Sequence, residues 1–416
     1  MTLSRRSLLA AAPLVQTRRR AQARPNIVYF MTDDHGAWAT GAYGAKDIHT
    51  PNIDALARTG ARFTRAFAST PVCSPSRMTY MTGCLPSSHH VQDWLQPVDS
   101  YGPKSRAYLD GHLTWAEVLA RAGYTMGMTG KWHMGHDDEA QRGFSYWATI
   151  PGGGGPYWNQ TFVHNGVTKK VEGFKTDAVG DFALDFLGQQ KAGQPFCLFV
   201  PFYAPHTPYD PTPEAYSAPY RDCAFRDYPA LPPRADFNRN YKSHFSNPKS
   251  KLGYSALITA ADANIGRVLK RLEEMRLRED TLVIFTADQG WNAGQHGVWG
   301  KGNGTRPFNM LEESIHVPMI WNHPGRIRAS APDPMISSYD FLPTLLDYLG
   351  LQAPPDPRRV GRSYAGFLRG RPPRDWRTRL YYEYAYVRAI RTENLKYIER
   401  AEGYPNEMYD LEADPG

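Results

Sequence analysis

The chain has 416 residues, a net charge of +7 and four cysteines. This length suffices for one large domain and a smaller one, and a core of that size needs no disulfide bonds for its stability. The cysteines lack the spacing of a zinc site and argue against a disulfide framework, although they leave a single bridge open; they are Cys73, Cys84, Cys197 and Cys223.

Residues 1–23 are predicted to form an export signal. They contain a twin arginine that ends at Arg6, a short apolar run over Leu8–Val15 and an "AQA" ending at Ala23, a pattern typical of twin-arginine signal peptides. A second arginine cluster after the apolar run leaves a disordered basic tail as the alternative. Cleavage after Ala23 removes five arginines and lowers the net charge from +7 to +2, which argues against a nucleic-acid-binding protein.

The hydropathy of the chain argues against a membrane-spanning segment. The apolar run over Leu8–Val15 is too short to cross a bilayer, and no later stretch approaches the roughly 18 consecutive apolar residues that a transmembrane helix needs. We therefore expect an exported protein, in the periplasm or outside the cell.

Short apolar runs alternate with helical stretches over most of the chain, which predicts an α/β fold: a large, mostly parallel sheet between layers of helices. The predicted strands are Asn26–Met31, Tyr124–Met128, Pro195–Phe202, Thr281–Ala287 and Val317–Trp321. The predicted helices include one that Thr50 caps and Pro51 starts, one with a capping box at Thr114, and a long amphipathic one over Tyr254–Met275.

Two segments interrupt this alternation. The sequence "PGGGGPY" over Pro151–Tyr157 predicts a flexible loop. Pro211–Pro248 is an aromatic-rich insertion, and insertions of this length are often lids or walls of binding sites. With its flank, over Tyr220–Leu252, the insertion carries seven Lys or Arg against three Asp. Its surface is expected to favour anionic ligands, with a merely solvated loop as the alternative.

The last part of the chain predicts a separate small subdomain. A connector rich in Pro and Arg covers Pro354–Arg377, and the alternating residues over Leu380–Arg400 predict antiparallel strands. We therefore expect a large domain over residues 24–350 and a small α+β subdomain with an antiparallel sheet over 351–416.

Oxygen-bearing side chains follow two of the predicted strands. Asp33 and Asp34 come directly after the first strand, and Asp288 and Gln289 come after the strand Thr281–Ala287. Open α/β sheets place their ligands at the carboxyl ends of their strands. Oxygen ligands without a cluster of thiols or histidines favour Ca²⁺ or Mg²⁺. The alternative is that each pair only caps a helix or forms a turn.

Basic side chains also recur near strand ends. Lys131 and His133 follow the second predicted strand, His206 follows the third, and Lys301 lies in a glycine-rich loop thirteen residues after Asp288. Each taken alone is more simply a structural histidine or a solvated lysine. Their recurrence at successive strand ends predicts that they converge on one functional site.

A further candidate is Cys73, in the stretch "PVCSPSRMTYMTG". Pro75 is typical of the first turn of a helix, so Cys73 is expected at a helix N-terminus, where the helix dipole favours anionic groups. A buried structural cysteine is the alternative.

This stretch resembles the first signature of the sulfatase family, C-x-P-S-R-x-x-x-x-T-G, and "GYTMGMTGKWHMG" over Gly123–Gly135 resembles the second. Blocks at Thr50–Phe67, Ala204–Asp210 and Asp288–Gly302 are similar to sulfatase blocks in the same order. The resemblance covers nearly the whole chain after the signal and implies the alkaline-phosphatase-like fold.

The resemblance implies that a separate formylglycine-generating enzyme oxidises Cys73 to formylglycine. The hydrated aldehyde carries two hydroxyls on one carbon. One hydroxyl attacks sulfur and releases the alcohol, and the other loses its proton and expels sulfate, which regenerates the aldehyde. This is covalent catalysis with a built-in release step.

The resemblance also implies roles for the other candidates. Asp33, Asp34, Asp288 and Gln289 would hold Ca²⁺ together with the modified Cys73. Arg77 and Lys131 would orient the hydrate and balance charge, whereas His206 and Lys301 would contact sulfate or protonate the leaving oxygen, and His133 would be the base for sulfate release. Gln289 stands where many members have Asn or His, so its geometry at the metal is open.

Three functions are compatible with these motifs: a sulfuric ester hydrolase, a phosphodiesterase or phosphonate monoester hydrolase with the same nucleophile, and a silent binder of sulfated polymers. The full set of polar candidates argues against the binder. A sulfated small molecule or carbohydrate is the expected substrate, because an exported enzyme with many aromatic residues is suited to stacking on sugar rings. The aromatic candidates are Trp38, Trp94, Tyr157, Trp158 and Trp299.

Overall fold

The computed structural model describes residues 24–237 and 241–414, and the predicted export signal lies outside them. The described strands are β1 (Asn26–Thr32), β2 (Ala61–Phe63), β3 (Ala66–Phe67), β4 (Thr125–Gly130), β5 (Tyr146–Thr149), β6 (Thr161–His164), β7 (Val167–Lys170), β8 (Phe196–Pro201), β9 (Thr281–Ala287), β10 (Asn292–Ala293), β11 (Trp299–Gly300), β12 (Met319–Asn322), β13 (Ile336–Ser337), β14 (Leu380–Tyr384), β15 (Val387–Arg391), β16 (Leu395–Arg400) and β17 (Glu407–Asp410). The described α-helices are α1 (Pro51–Thr59), α2 (Cys73–Thr82), α3 (Pro86–His89), α4 (Pro97–Ser100), α5 (Trp115–Arg121), α6 (Lys175–Gly188), α7 (Glu214–Ser217), α8 (Pro248–Glu274), α9 (Glu312–Ile315), α10 (Phe341–Tyr348) and α11 (Ala365–Leu368).

Within the described residues, nine strands form one sheet in the order β2-β12-β9-β1-β8-β4-β5-β6-β7. Its central strands, from β9 to β5, are parallel to one another. The outer pairings, on the β12 side and on the β6 side, are antiparallel. The predicted mostly parallel sheet is therefore confirmed at its centre.

Both faces of this sheet are covered by helices. Alternate residues of β1 point to opposite faces. Ile27, Tyr29 and Met31 belong to a buried cluster that includes side chains of α2, α5 and α10. Val28 and Phe30 belong to a second cluster with side chains of α1, α6 and α8. A continuous apolar run in the sequence thus becomes a strand buried on both sides.

The helix starts predicted at Pro51 and after Thr114 are correct in position, whereas α8 begins at Pro248, six residues before the predicted start at Tyr254. The Thr114 hydroxyl accepts a hydrogen bond from the backbone N–H of Glu117, and the Glu117 carboxylate accepts one from the backbone N–H of Thr114. The capping box at α5 is therefore confirmed. Thr50 precedes α1, but its hydroxyl does not cap the helix. It donates instead to Asp54 Oδ1 and accepts from the backbone N–H of Gly41.

The C-terminal residues form a small antiparallel sheet of β14, β15, β16 and β17, paired in chain order within the described part of the chain. Tyr382 and Tyr384 of β14 share a buried cluster with Phe67 and Val72 of the large domain. Val72 directly precedes α2, so the small sheet supports the start of that helix. The domain boundaries at residues 350 and 351 stay predictions.

The described residues also bear on two expectations from composition. Across 24–237 and 241–414, no helix is both long and apolar enough to cross a membrane. The cysteines of the sequence all lie within these ranges and are free thiols, which agrees with the predicted absence of a disulfide framework.

Candidate functional site

The polar candidates converge at the carboxyl ends of the central strands. Asp33 and Asp34 follow β1, Lys131 follows β4, and Asp288 follows β9. These three strands are parallel members of one sheet, and their carboxyl ends therefore share an edge. His206 reaches the same edge five residues after the end of β8.

Cys73 is the first residue of α2 and is almost fully buried, with 2% of its surface exposed. Its sulfur lies 2.9 Å from Lys301 Nζ and 3.3 Å from Asp33 Oδ1. Gln289 Nε2 lies 3.5 Å from the same sulfur. The sequence therefore correctly places Cys73 at a helix N-terminus, and the fold surrounds it with the other polar candidates.

The carboxylates beneath Cys73 are held by buried cations. Lys131 Nζ donates to Asp33 Oδ2, and Lys301 Nζ donates to Asp34 Oδ1 at 2.6 Å. Arg77 Nε donates to Asp288 Oδ2 at 2.8 Å, and its Nη2 lies 3.4 Å from Asp33 Oδ2. All of these side chains are at most 3% exposed, so the pairs act in a low dielectric where charge interactions are strong.

Two buried oxygens at this edge accept no hydrogen bond, namely Asp34 Oδ2 and Gln289 Oε1. An unpaired buried acceptor is costly, and a native site normally supplies it with a partner. Ligand atoms of Asp33, Asp34, Cys73 and His206 also lie within 4.8 Å of one another. The oxygens of Asp33 and Asp34 in this group, together with Gln289 Oε1, fit a hard divalent cation.

Gln289 presents its amide nitrogen to Asp33 and Asp34 while its oxygen has no partner. The two ends of an amide are exchanged by a half turn of the side chain. That turn would aim Oε1 at a cation between the carboxylates, so the longer side chain of Gln289 can reach the predicted position.

Asp288 lies beside this group with both of its oxygens already engaged. Oδ1 accepts from the backbone N–H groups of Gln289 at 2.8 Å and Asp34 at 3.3 Å, and Oδ2 accepts from Arg77. Its predicted role as a metal ligand therefore stays a prediction. In the arrangement described here it also holds the backbone after β1 and β9 in place.

Two candidates adopt the left-handed backbone conformation that residues other than glycine rarely adopt, Asp34 with φ 64° and His133 with φ 60°. His133 Nε2 lies 2.9 Å from the carbonyl oxygen of Leu95. A carbonyl only accepts, so Nε2 carries the proton and Nδ1 is left with a lone pair. His133 is thereby set up to accept a proton at Nδ1.

His206 lies at the side of the carboxylates and is the most exposed of the predicted polar candidates. Its Nδ1 donates to the carbonyl oxygen of Thr207 at 2.6 Å, and its Nε2 lies 3.7 Å from Asp34 Oδ2. The bond to Thr207 fixes the ring so that Nε2 faces the site.

The charges at the site shift the pKa values of its members. Burial and Asp33 raise the pKa of the Cys73 thiol, but Lys131, Lys301 and a hydrogen bond with His133 are among the groups that lower it, and the pKa lies well below its ordinary value. Burial lowers the pKa of His133, and Lys131 lowers it further. Burial also raises the pKa of Asp288 well above its usual range, and the nearby Asp33 adds to this.

These residues open onto a cavity of about 410 Å³. The buried side chains of Cys73, Lys131, His133 and Lys301 form its inner end. Trp94 and Arg306 are exposed and line its outer end. Within the described part of the chain, no carboxylate lines this cavity, so its electrostatic character favours an anionic ligand.

Sequence reasoning missed several residues around the site. Asp137 accepts from the backbone N–H of His133 at 3.2 Å, and burial raises the pKa of Asp137 to about 8. Lys175 is buried 3.7 Å from the ring centre of Tyr203 and donates to the carbonyl oxygen of Gly155. These residues lie outside the recognisable motifs, and the sequence carries no local signal for them.

Of the aromatic candidates, Trp94 lines the cavity. Tyr157 and Trp299 are completely buried, so the expectation that they stack on a sugar ring is wrong. Trp158 is exposed and donates from Nε1 to the carbonyl oxygen of Pro211. The predicted flexible loop over Pro151–Tyr157 contributes to the cavity through Gly152 and Gly153.

Two family models match the chain. The model described as Sulfatase matches residues 25–351, and the model described as N-sulphoglucosamine sulphohydrolase, C-terminal, matches residues 294–416. Together they cover nearly all of the described residues.

Named relatives agree with these matches. The N-acetylglucosamine-6-O-sulfatase of Bacteroides thetaiotaomicron is 28% identical, over 98% of this chain and 84% of the relative. The ulvan-active sulfatase of Formosa agariphila is 29% identical, over 94% of this chain and 76% of the relative.

A solved structure of a protein in complex with its substrate D-glucosamine-2-N,6-O-disulfate has the same fold. Its TM-score is 0.79 at 26% identity, covering 94% of this chain and 92% of the other. The large sheet, the small C-terminal sheet and these matches agree with one another. The chain therefore belongs to the sulfatase family of the alkaline-phosphatase-like superfamily and is a sulfuric ester hydrolase.

Proposed function

We propose that this chain hydrolyses a sulfate monoester of a saccharide, with formylglycine formed from Cys73 as the nucleophile and a divalent cation beside it. One observation carries the proposal: Cys73, Lys131, His133, His206 and Lys301 line one cavity that has no carboxylate among its described lining residues. A sulfate ester spreads negative charge over its oxygens in the transition state, and fixed cations in a buried site stabilise that charge.

The cation would be held by Asp33, Asp34, Asp288 and Gln289, with the hydrate oxygen in place of the Cys73 sulfur. The unpaired Asp34 Oδ2 and Gln289 Oε1 support this set. Oxygen ligands favour Ca²⁺ over softer metals. When bound, the cation would polarise the sulfate oxygens and favour the ionised form of the nucleophile.

The nucleophile would lie between groups that donate a proton and a group that accepts one. One hydroxyl of the formylglycine hydrate would attack sulfur, the bond from sulfur to the ester oxygen would break, and the alcohol would leave. His206 and Lys301 line the cavity from the side of the carboxylates and are suited to contact sulfate and to give a proton to the leaving oxygen.

Release of sulfate needs a base on the remaining hydroxyl. That hydroxyl would lose its proton, the carbon to sulfate-oxygen bond would break, and the aldehyde would re-form. His133 is suited to take this proton, because its bond to Leu95 leaves Nδ1 with a lone pair. The lowered pKa of His133, caused by burial and by Lys131, keeps the ring neutral and able to accept.

A sulfated carbohydrate is the proposed substrate class. Its support is the N-acetylglucosamine-6-O-sulfatase among the relatives, the disulfated glucosamine bound in the similar structure, and Trp94 at the cavity. The phosphonate or phosphodiester alternative has weaker support, a fold shared with the phosphonate monoester hydrolase of Agrobacterium radiobacter at a TM-score of 0.72 and 24% identity. A direct comparison of substrates decides between them.

Mass spectrometry of the peptide that contains Cys73 tests the nucleophile. Protein made together with a formylglycine-generating enzyme should show that peptide with one sulfur and two hydrogens lost and one oxygen gained. The same protein should hydrolyse 4-nitrophenyl sulfate faster than phosphodiester or phosphonate esters. An active preparation that contains only the thiol peptide would overturn the mechanism, and faster turnover of the phosphorus esters would favour the alternative.

Export through the twin-arginine route is part of the proposal. It rests on the signal-like residues 1–23, and it predicts that the mature protein from the periplasmic or extracellular fraction begins at Arg24. N-terminal sequencing of that fraction tests it, and replacing both residues of the twin arginine with lysine should retain the protein inside the cell.

A further inference from the structure

The outer end of the cavity is built from two exposed side chains that differ in chemistry from the inner end. Trp94 is 40% exposed, and Arg306 is exposed as well. Both line the same cavity as Cys73. A ligand whose sulfate reaches Cys73 would therefore extend past an indole ring and a guanidinium group.

The Arg306 guanidinium is supported by an aromatic stack. It lies 4.2 Å from the ring centre of Phe308. The Phe308 ring in turn stacks on Tyr384 of β14 at 4.6 Å and on Tyr386 of the turn after β14 at 4.9 Å. The Arg306 backbone N–H also donates to the carbonyl oxygen of Asp236 at 2.8 Å. Less conformational freedom is lost on binding when a side chain is held in this way.

Trp94 is anchored to the same C-terminal sheet. Its backbone N–H donates to Asp93 Oδ1 at 2.8 Å, and Tyr384 Oη donates to the same oxygen at 2.9 Å. The backbone N–H of Ala385 also donates to the carbonyl oxygen of Gln92. Residues of β14 and of the turn after it therefore support both Trp94 and Arg306. The C-terminal subdomain thus shapes the entrance to the cavity.

The charge of Arg306 is only partly offset by a carboxylate: burial raises the pKa of Asp93, and Arg306 is among the groups that lower it, so the two side chains interact electrostatically. Lys131 and Lys301, at the inner end, form ion pairs with Asp33 and Asp34. Across residues 24–237 and 241–414, Arg306 forms no ion pair with a carboxylate; its Nη1 donates to the carbonyl oxygens of Asn303 and Thr305. Among the described residues, Arg306 is therefore less neutralised by carboxylates than the two inner lysines are.

We propose that Trp94 and Arg306 form an outer subsite for a second anionic group, a sulfate or a carboxylate, on the same saccharide. The preferred substrate then carries at least two negative charges, with the indole of Trp94 covering a sugar ring and Arg306 binding the second anion through paired N–H groups. This inference rests on the proposed function, because it assigns the specificity of that same site.

Steady-state kinetics on four probes test the subsite. The probes are 4-nitrophenyl sulfate, N-acetylglucosamine 6-sulfate, glucosamine 2-N,6-O-disulfate, and a disaccharide of 6-sulfated glucosamine and a uronic acid. We expect kcat/KM of the wild type to be about tenfold higher on the doubly charged probes than on the singly charged sugar, as for one charge-assisted contact. The two doubly charged probes distinguish sulfate from carboxylate as the second anion.

Arg306→Gln should remove most of that preference and lower kcat/KM about tenfold more on doubly charged sugars than on 4-nitrophenyl sulfate. Arg306→Lys should restore part of it. Arg328→Gln, at an exposed arginine outside the cavity, is the matched control and should preserve the preference.

Equal losses on all four probes in Arg306→Gln, or no preference in the wild type, would overturn the subsite and leave the sulfatase activity standing. Turnover of 4-nitrophenyl sulfate without hydrolysis of any of the three sulfated sugars would also overturn the subsite and leave the sulfatase activity standing. No hydrolysis of any sulfate ester by protein that contains formylglycine would instead overturn the proposed function, and the subsite with it.

Discussion

The ammonium nitrogen of Lys301 lies 2.9 Å from the sulfur of Cys73, although 228 positions separate the two residues in the sequence. The same nitrogen lies 2.6 Å from Asp34 Oδ1. Burial lowers the pKa of Lys301, but Asp34 and Cys73 raise it by more, so the pKa lies well above its usual value and the side chain stays charged. The ammonium group of Lys301 therefore contacts both the proposed nucleophile and a proposed metal ligand.

Replacing Lys301 with methionine should lower kcat on 4-nitrophenyl sulfate by about 10²–10³, because a preorganised donor to the reacting group is lost. Lys270→Met, at an exposed lysine of α8, is the matched control and should keep wild-type kcat. Circular dichroism would check that both variants are folded. An effect of Lys301→Met no larger than that of the control would contradict the assigned role.

Cys73→Ser should leave the enzyme as a stable sulfate ester of the hydroxyl group introduced at the substituted position. A serine hydroxyl has no second hydroxyl on its carbon to expel sulfate, so the reaction should stop after one turnover. Intact-protein mass spectrometry should then show a sulfated variant after incubation with substrate. Cys223→Ser, at a partly exposed cysteine outside the cavity, should turn over normally. Multiple turnovers by Cys73→Ser would refute formylglycine as the nucleophile.

Divalent cations should stabilise the folded protein. After chelation, added Ca²⁺ should raise the melting temperature, because a ligand at a hundred times its Kd adds about 2.7 kcal/mol to the free energy of unfolding. Gln289→Leu should weaken this response, since the unpaired Oε1 is removed. Gln352→Leu, on the surface, should respond like the wild type. Identical calcium titrations for the wild type and Gln289→Leu would exclude Gln289 as a ligand.

Gly153→Ala should disturb His133. Gly153 has φ 69°, and a Cβ there would lie 2.2 Å from His133 Cδ2, so the ring would have to move. We expect kcat to fall about tenfold or more, as for displacement of a catalytic base. At Gly154 a Cβ would meet only Tyr203 Oη, at 3.7 Å, and Gly154→Ala should therefore lower kcat far less. Equal kcat values for the two variants would argue against His133 as the base.

Glu312 should contribute to stability in a way that depends on pH. Burial raises its pKa, but Lys396 and Arg391 of the C-terminal sheet lower it by more, to about 2 from 4.5. Because the folded-state pKa is the lower one, this contribution is complete above about pH 4.5 and is lost as the pH falls toward 2.

Denaturant titrations over that pH range measure the effect. The wild type should lose on the order of 3 kcal/mol of unfolding free energy through this group, whereas Glu312→Gln should be destabilised at pH 7 and lack this loss. Glu393→Gln, at a side chain 73% exposed that pairs with Arg65, is the control and should follow the wild type. Parallel pH curves for the wild type and Glu312→Gln would contradict the ion pair.

Local sequence determined most of the central elements and pointed to the candidate reacting groups. Apolar runs predict the central strands because a strand buried on both faces needs uninterrupted apolar residues, as Ile27 and Val28 show by packing on opposite faces. Polar residues directly after those strands are brought together by the parallel sheet alone, so Asp33, Lys131 and Asp288 could be assigned to one edge without coordinates.

Contacts between distant segments were decided by tertiary packing. The sequence could not show that Tyr157 is buried whereas Trp94 lines the cavity, since burial depends on which layers enclose a side chain. Nor could it show that Phe308 and Tyr384 support Arg306 from another subdomain. The motif thus places Cys73 at the start of a helix. The packing of the C-terminal sheet against the large domain determines what surrounds the entrance, because only the folded chain brings those side chains into contact.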